Sequence, residues 1–340
     1  MSAPRPHHDC FGWRTRPGCW DSSTRRTVWR RYERVQLLLA AEIGADDASL
    51  LRTALAIRRP RRRVVRNGLV CSLWKGTATA RRTLGRQGLG TSAVGYGAMG
   101  ISMAYGPGDD AEGVAEIHRA YELDVTHFDT AELYGWGANE KLVGKAVAPY
   151  RDEITMATKF GFTREYGTDS RREHIREVLG NSLRNLGVEH VDVLYQHRVD
   201  PEVPIEDVAG TIKELIEVGK VRYLGLSEAG PQTIRKAHAV HPVTVLQTEY
   251  SLFERDVEQL LPVLRELGIG FVAYSPLGRG SLTGTAQPAG SYDATDMRNH
   301  DPRWQPGNSE KNLAAVRQLV DLAASKEATV AQLALAWLLA

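Results

Sequence analysis

From Arg82 onward the chain alternates without a break between short apolar runs and longer amphipathic stretches, and that rhythm confines it to one kind of fold. The apolar runs are VGYGAMG (94–100), THFDTA (126–131), EITMATKF (153–160), VDVLYQH (191–197), VRYLGLS (221–227), VTVLQTEYS (243–251) and GIGFVAYSPL (268–277). Short and almost wholly apolar, they read as strands covered on both faces, which is the pattern of a parallel sheet. The intervening segments, among them DDAEGVAEIHRAYELD, SRREHIREVLGNSLRNLG and PIEDVAGTIKELIEVGK, carry apolar residues at helical spacing. Seven such repeats in succession favour a barrel over an open sheet. RTLGRQGLGTSAV, just ahead of the first run, predicts a hairpin around a glycine-containing turn. A Gly/Pro/Asp-rich loop spans 278–307, and NLAAVRQLVDLAASKE and TVAQLALAWLLA predict two closing helices. The expected fold is therefore α/β, a (β/α)8 TIM barrel lacking its eighth β/α unit, with an N-terminal hairpin and an irregular N-terminal extension.

Two compositions are joined in this chain, which divides it into residues 1–80 and a barrel domain at 81–340. The first 80 residues hold fifteen Arg and one Lys against six acids, a net of +10, and this leaves −8 on the remainder of a chain whose total is +2. All three cysteines and four of the seven tryptophans lie there as well. The body from 81 onward has no cysteine, so neither a disulfide nor a thiol nucleophile enters its chemistry. The opening MSAPRPHHDC does not lead a basic segment into an apolar core as a signal peptide does. No apolar run approaches the roughly twenty residues of a membrane span. His7, His8, Cys10 and Cys19 are zinc-capable residue types but lack a second ligand pair at finger spacing, so no metal is expected. RRPRRR at 58–63 is a candidate contact for a nucleic-acid backbone. The segment is nonetheless expected to be a poorly ordered extension with no part in the chemistry, in which YERVQLLLAAE forms a short helix.

Two glycine patterns suggest a dinucleotide fold and fail on context. Gly88, Gly90 and Ala93 fit G-x-G-x-x-A but fall in the hairpin. Gly95, Gly97 and Gly100 fit G-x-G-x-x-G but lie in a strand that runs into a loop. A dinucleotide fingerprint must end a strand and open a helix.

The polar residues at the strand ends are more telling. Asp129, Lys159 and His197 sit at or near the C-terminal ends of their runs, and Tyr134 lies in the loop just beyond Asp129. That end of a parallel barrel is where chemistry is done. A phenol with an ordinary pKa of about 10 is a poor proton donor at neutral pH. A neighbouring ammonium, Lys159, lowers that value, and Asp129 is the counter-ion that such an ammonium needs. His197 either orients a carbonyl oxygen through a hydrogen bond or relays a proton at low pH. Singly, each reads better as a structural residue: an Asp129–Lys159 ion pair, a core tyrosine and a satisfied core histidine. Together at strand ends they describe a site that donates a proton to a carbonyl.

At these residues the chain resembles the aldo-keto reductases, closest to the bacterial and plant aldehyde and pyridoxal reductases. The matching segments are FDTAELYG, ATKFG, VLYQHRVD, GLSEA, LQTEYSL and AYSPLGRGSLTG, within roughly residues 82–340. The resemblance implies NADPH-dependent reduction of an aldehyde or ketone, with NADP(H) bound extended across the barrel mouth. Tyr134 would be the general acid, Asp129 and Lys159 its tuning pair, and His197 the carbonyl orienter. Ser227 and Gln247 match the positions that hold the nicotinamide carboxamide, and Glu228 stands where many members have Asn. Tyr274 matches the ring that stacks on the nicotinamide. Ser275, Leu277, Gly278 and Arg279 belong to the segment that closes over the pyrophosphate, and Met99 completes the cofactor set. Met99, Trp136 and the 278–307 loop are candidates for the substrate wall, beside Tyr134 and His197.

Family members continue past TVAQLALAWLLA into an eighth strand and helix that hold the adenosine 2′-phosphate, whereas this sequence stops at Ala340. Seven strands leave two unpaired edges, so weak NADPH binding or instability is expected of the chain alone. Its expected partner is a small-molecule carbonyl compound, in a cytoplasmic setting, with no nucleic acid and no membrane. A catalytically impaired cofactor-sensing module on the same fold is the alternative. The sequence does not specify the carbonyl substrate, NADPH against NADH, or the oligomeric state.

Overall fold

The seven apolar runs become seven parallel strands, each hydrogen-bonded to its successor: β4 (Val94–Gly97), β5 (His127–Asp129), β6 (Thr155–Phe160), β7 (Val191–Gln196), β8 (Val221–Ser227), β9 (Val243–Glu249) and β10 (Gly270–Tyr274). The computed structural model describes residues 36–41 and 80–339. The helices that follow the strands are α1 (Asp110–Glu122), α2 (Ala138–Val147), α3 (Arg172–Leu186), α4 (Ile205–Glu217), α5 (Pro231–Val240) and α6 (Leu261–Leu267), with α7 (Asn308–Ser325) and α8 (Val330–Leu339) closing the described chain. Helix α6 is shorter than its sequence pattern predicts. Pro262 stands in its first turn, and the preceding Asp256–Leu260 coils as a 3-10 helix instead.

The barrel is closed, and the eighth position is filled from an unexpected place. Strand β1 (Gln36–Ala41) lies between β10 and β4, antiparallel to both. Leu39 is its hinge in register, opposite Ala273 on one side and Val94 on the other. Two sequence-based expectations are thereby corrected: QLLLAA is a strand and not part of a helix, and strands β4 and β10 are not left as open edges. The physical reason is the same for both. An open barrel presents two rows of unpaired N–H and C=O groups flanked by apolar surface, and a six-residue, mostly apolar strand satisfies both rows at once.

The hairpin β2 (Arg81–Leu84) and β3 (Leu89–Ser92) forms as predicted. It lies at the end of the barrel where the strands begin, tied there by the Arg86 amide donating to the Gly268 carbonyl at 2.9 Å. Leu84 and Leu89 pack with Ala157, Val193, Tyr195, Val245 and Val272. The other face of the strands, with Phe128, Met156, Leu194, Leu224, Leu246 and Phe271, packs in the core shared with the helices. This two-residue alternation puts Ala157 on the same side as Lys159, Val193 and Tyr195 on the same side as His197, and Val245 on the same side as Gln247. So the interior is largely apolar low in the barrel, with His127 as an exception, and polar at its mouth. It is also full: a Cβ at Gly225 would collide with the Tyr195 ring.

Candidate active site

Strand β5 ends at Asp129, β6 carries Lys159 one residue from its end, and His197 follows directly on β7. Tyr134 comes from the turn between β5 and α2. All four are buried. The turn is fixed by Asn139, the second residue of α2, whose amide donates to the Ala98 carbonyl and the Ser102 hydroxyl, both at 2.8 Å, while its Oδ1 accepts from Thr130 Oγ1 at 2.6 Å. The Tyr134 carbonyl accepts from the Asn139 amide and its own amide donates to the Ala131 carbonyl. The phenol is therefore placed by hydrogen bonds to its own turn as well as by packing.

Lys159 joins the group together. Its Nζ donates to Asp129 Oδ1, to the Thr130 carbonyl at 2.9 Å and to the Tyr134 hydroxyl at 3.2 Å. Burial alone would pull the ammonium's pKa down, but the Asp129 charge and the Tyr134 contact outweigh it and raise it, so Lys159 stays charged. Asp129 is held in turn by Gln247, whose Nε2 donates to Oδ2 at 2.9 Å. The Tyr134 pKa is raised. Burial is the larger influence and Lys159 opposes it without overcoming it, so the lowering expected from the ammonium alone is not the net result. His197 meets the Tyr134 ring edge-on at 5.9 Å and the Phe162 ring at 5.0 Å. Burial, then Lys159 and Arg198, push its pKa well down, which leaves a neutral imidazole suited to orienting a carbonyl and not to carrying a proton at mildly acid pH.

The other predicted residues ring the same mouth. Ser227 ends β8 and Tyr274 ends β10. Trp136, Glu228, Ser275 and Arg279 all have positive φ, at 52°, 55°, 50° and 57°, a costly conformation for residues with a Cβ and one that gathers at ligand sites. Glu228 turns its carboxylate to the Glu249 amide at 2.9 Å. Met99 and Trp136 pack with Met103 around Leu133, Tyr134 and Phe162. Leu277, Gly278 and Arg279 begin the 278–307 segment, whose Met297 amide donates to the Ala104 carbonyl, bringing that loop beside the one that carries Met99 and Met103.

The aldo/keto reductase family model matches residues 93–340. The chain belongs to that family. It is 46% identical over 263 residues to the probable aldo-keto reductase 1 of Glycine max, a match covering 75% of this chain and 76% of that one. Among solved structures it is similar to the glycerol dehydrogenase AKR11B4 from Gluconobacter oxydans, with a TM-score of 0.69, 33% identity, and coverage of 77% of this chain and 83% of the other. The holo form of the aldo-keto reductase AKR11C1 from Bacillus halodurans gives a TM-score of 0.62 at 26% identity, over 76% of this chain and 81% of that one.

In this aldo/keto reductase several contributors to the site were not legible in the sequence. Glu249, fully buried, grips Arg279 at 3.1 Å and Arg303 at 2.6 Å, pinning the 278–307 segment to the end of β9. Arg164 lies over the Trp136 ring at 5.2 Å. Met103, Phe162 and Arg198 complete the surroundings of Tyr134 and His197. Their partners come from other strand ends, and no local pattern marks them, although Arg198 does adjoin His197. Of the motifs in residues 1–80, His7, His8, Cys10, Cys19 and RRPRRR fall outside the described residues. Among the described residues no helix is long and apolar enough to cross a membrane.

A stability prediction arises from the buried imidazoles. His127, inside the barrel two residues before Asp129, has a pKa lowered chiefly by burial, and neither ring nitrogen has a partner among the described residues. His127 and His197 both refuse protons in the folded chain, whereas the unfolded chain accepts them near 6.5. Their contribution is thus fully present above pH 6.5 and is lost as the pH falls below it. Glu132, half-buried with a pKa pushed up to about 7 by burial and by Glu140, works in the opposite direction. Two fully buried imidazoles should outweigh it. The melting temperature is expected to drop by several degrees between pH 7.5 and pH 5.5, measured by differential scanning fluorimetry. An unchanged or higher value at pH 5.5 would count against this reading.

Proposed function

We propose that this aldo/keto reductase reduces an aldehyde or ketone to the alcohol with NADPH, using Tyr134 as the proton donor. One observation carries the reading: a single buried ammonium, Lys159, touches both a carboxylate and a phenol at the mouth of a parallel barrel. A structural ion pair would need only Asp129. The donor set fits a nicotinamide cofactor, since Ser227 Oγ and the Gln247 amide stand at adjacent strand ends and the Tyr274 ring borders the same mouth. NADP(H), when bound there, supplies hydride for the carbonyl carbon.

The protein's own part is then to hold the carbonyl and manage its oxygen. Neutral His197 donates a hydrogen bond to that oxygen and fixes its direction. Tyr134, its pKa raised by burial, is fully protonated at neutral pH and holds the proton until it is needed. As charge grows on the oxygen toward an alkoxide, a much stronger base than phenolate, the proton passes from the Tyr134 hydroxyl. The charge left on the phenolate is met by Lys159, whose own position is held by Asp129 and the Thr130 carbonyl. Donors already in place when the charge develops are what make such a site fast. The absence of cysteine from 81–340 means that this chemistry asks for no oxidising compartment, in keeping with a cytoplasmic setting.

The test is nicotinamide oxidation by the purified chain with 4-nitrobenzaldehyde, run in parallel with NADPH and NADH. Turnover is expected, faster with NADPH. A folded chain that binds NADPH yet leaves every aldehyde unreduced would overturn the catalytic reading.

A further inference from the structure

We propose that Arg198 makes this site selective for carbonyl substrates that carry a carboxylate, an inference that rests on the carbonyl-reductase reading above. Arg198 follows His197 at the mouth of the barrel. Its Nη1 donates to the His197 carbonyl at 2.6 Å and to Ser227 Oγ, at the end of the next strand, at 3.3 Å. The guanidinium therefore lies over the strand ends, between the main-chain carbonyl of His197 and the hydroxyl of Ser227.

Its charge is not balanced as its neighbours' charges are. Lys159 is paired with Asp129, Arg279 and Arg303 share Glu249, and Arg298 is paired with Asp296. Arg198 meets no carboxylate among the described residues. Two acids close to Arg198 and Ser227 in sequence are engaged with backbone: Asp200 accepts from the Ser170 amide at 2.7 Å and the Glu202 amide at 2.9 Å, and Glu228 accepts from the Glu249 amide. Arg164, the other cation near the substrate wall, stacks on Trp136 and feels the charge of Glu132.

Partial burial gives this unpaired charge its consequence. A guanidinium that has lost part of its water and gained no counter-ion binds an anion more strongly than one on the open surface. Arg198 is half-buried, and among the described residues only its Nη1 is engaged, which leaves Nε and Nη2 as the two-pronged edge that matches a carboxylate. Arg198 directly follows His197 and touches Ser227 at the end of the next strand, so an anion held there lies at the same mouth as Tyr134 and His197, which feel the guanidinium's charge. Met99, Met103, Trp136 and Phe162 supply an apolar wall. The substrate class that satisfies both features is an oxo acid: an apolar body, a carbonyl for Tyr134 and His197, and a carboxylate for Arg198.

The experiment compares 2-, 3- and 4-carboxybenzaldehyde with their methyl esters, which differ from them in charge and step the carboxylate away from the carbonyl. It uses the full chain, Arg198→Met and Arg198→Lys, together with NADPH affinity by fluorescence and benzoate binding by calorimetry. In the unsubstituted chain at least one acid should exceed its ester in kcat/KM by roughly tenfold or more. Arg198→Met should erase that preference, chiefly through KM, with the esters losing far less and NADPH affinity changing little. Arg198→Lys should recover part of it. Equal losses on acid and ester, or a falling NADPH affinity, would assign Arg198 to the cofactor or to the fold and overturn the proposal, as would esters preferred throughout. If no aldehyde is reduced, the reductase reading fails separately. Benzoate binding lost in Arg198→Met would then still support the anion site, and its absence from the unsubstituted chain would overturn it.

Discussion

Tyr134→Phe should lower kcat for aldehyde reduction by roughly 10²–10⁴-fold while leaving NADPH affinity close to that of the unsubstituted chain. The substitution deletes one hydroxyl and keeps the ring, so the packing with Phe162, Met99 and Trp136 and the edge contact to His197 survive. Lys159 loses one of three partners but keeps Asp129 and the Thr130 carbonyl, and a buried ammonium with its counter-ion in place has no reason to move. What disappears is the proton that must reach the developing alkoxide, together with the phenolate that Lys159 would stabilise. The loss should therefore fall on kcat and kcat/KM together. Single-turnover reduction and NADPH titration separate the two readouts. A variant that keeps most of its kcat would show that the proton comes from elsewhere, with His197 next in line.

Leu38→Pro should destabilise the barrel by about 3 kcal/mol or more, a melting-temperature loss of roughly 6–12 °C for a domain of this size. Residue 38 lies in the middle of β1, opposite Gly95 on β4, and the strand has neighbours on both sides. Proline removes an N–H from a strand that has no free edge and bars the chain from close pairing. Amide exchange sharpens the test, because opening should raise exchange on both flanks, at β4 and at β10, and leave β7 protected. Unchanged thermal stability and unchanged exchange would mean that β1 does not occupy the eighth position in solution. The expectation of an unstable chain rested on two bare edges, and β1 removes that ground.

How much of this could be read from the sequence depended on the range of the interactions involved. The seven parallel strands were legible because each is a short apolar run between helix-period segments, a local signal. Asp129, Lys159, His197 and Tyr134 were legible because the barrel assigns a meaning to strand ends. QLLLAA was not, since a glutamine and five apolar residues suit a helix or a strand equally well, and what decides between them is a pair of edges at Val94 and Ala273, far along the chain. The direction of the Tyr134 shift also escaped, because charge neighbours can be named from sequence but depth cannot. Glu249 with its two arginines, and the unpaired Arg198, depend on which carboxylates turn toward backbone amides, a choice made only in three dimensions.

The antiparallel closing strand also sets an order of events during synthesis. Leu39 can meet Val94 once the hairpin and β4 have been made, but its other partner, Ala273, lies more than two hundred residues beyond Leu39 in the chain. The first described strand is thus among the last to be fully paired, and through most of translation a mostly apolar hexapeptide waits with one side uncovered. Contacts of such long sequence separation form slowly, and waiting edges are where nascent chains stick to one another. The yield of this protein should accordingly respond to chaperone supply and to slower synthesis at low temperature more than the stability of the finished barrel would suggest.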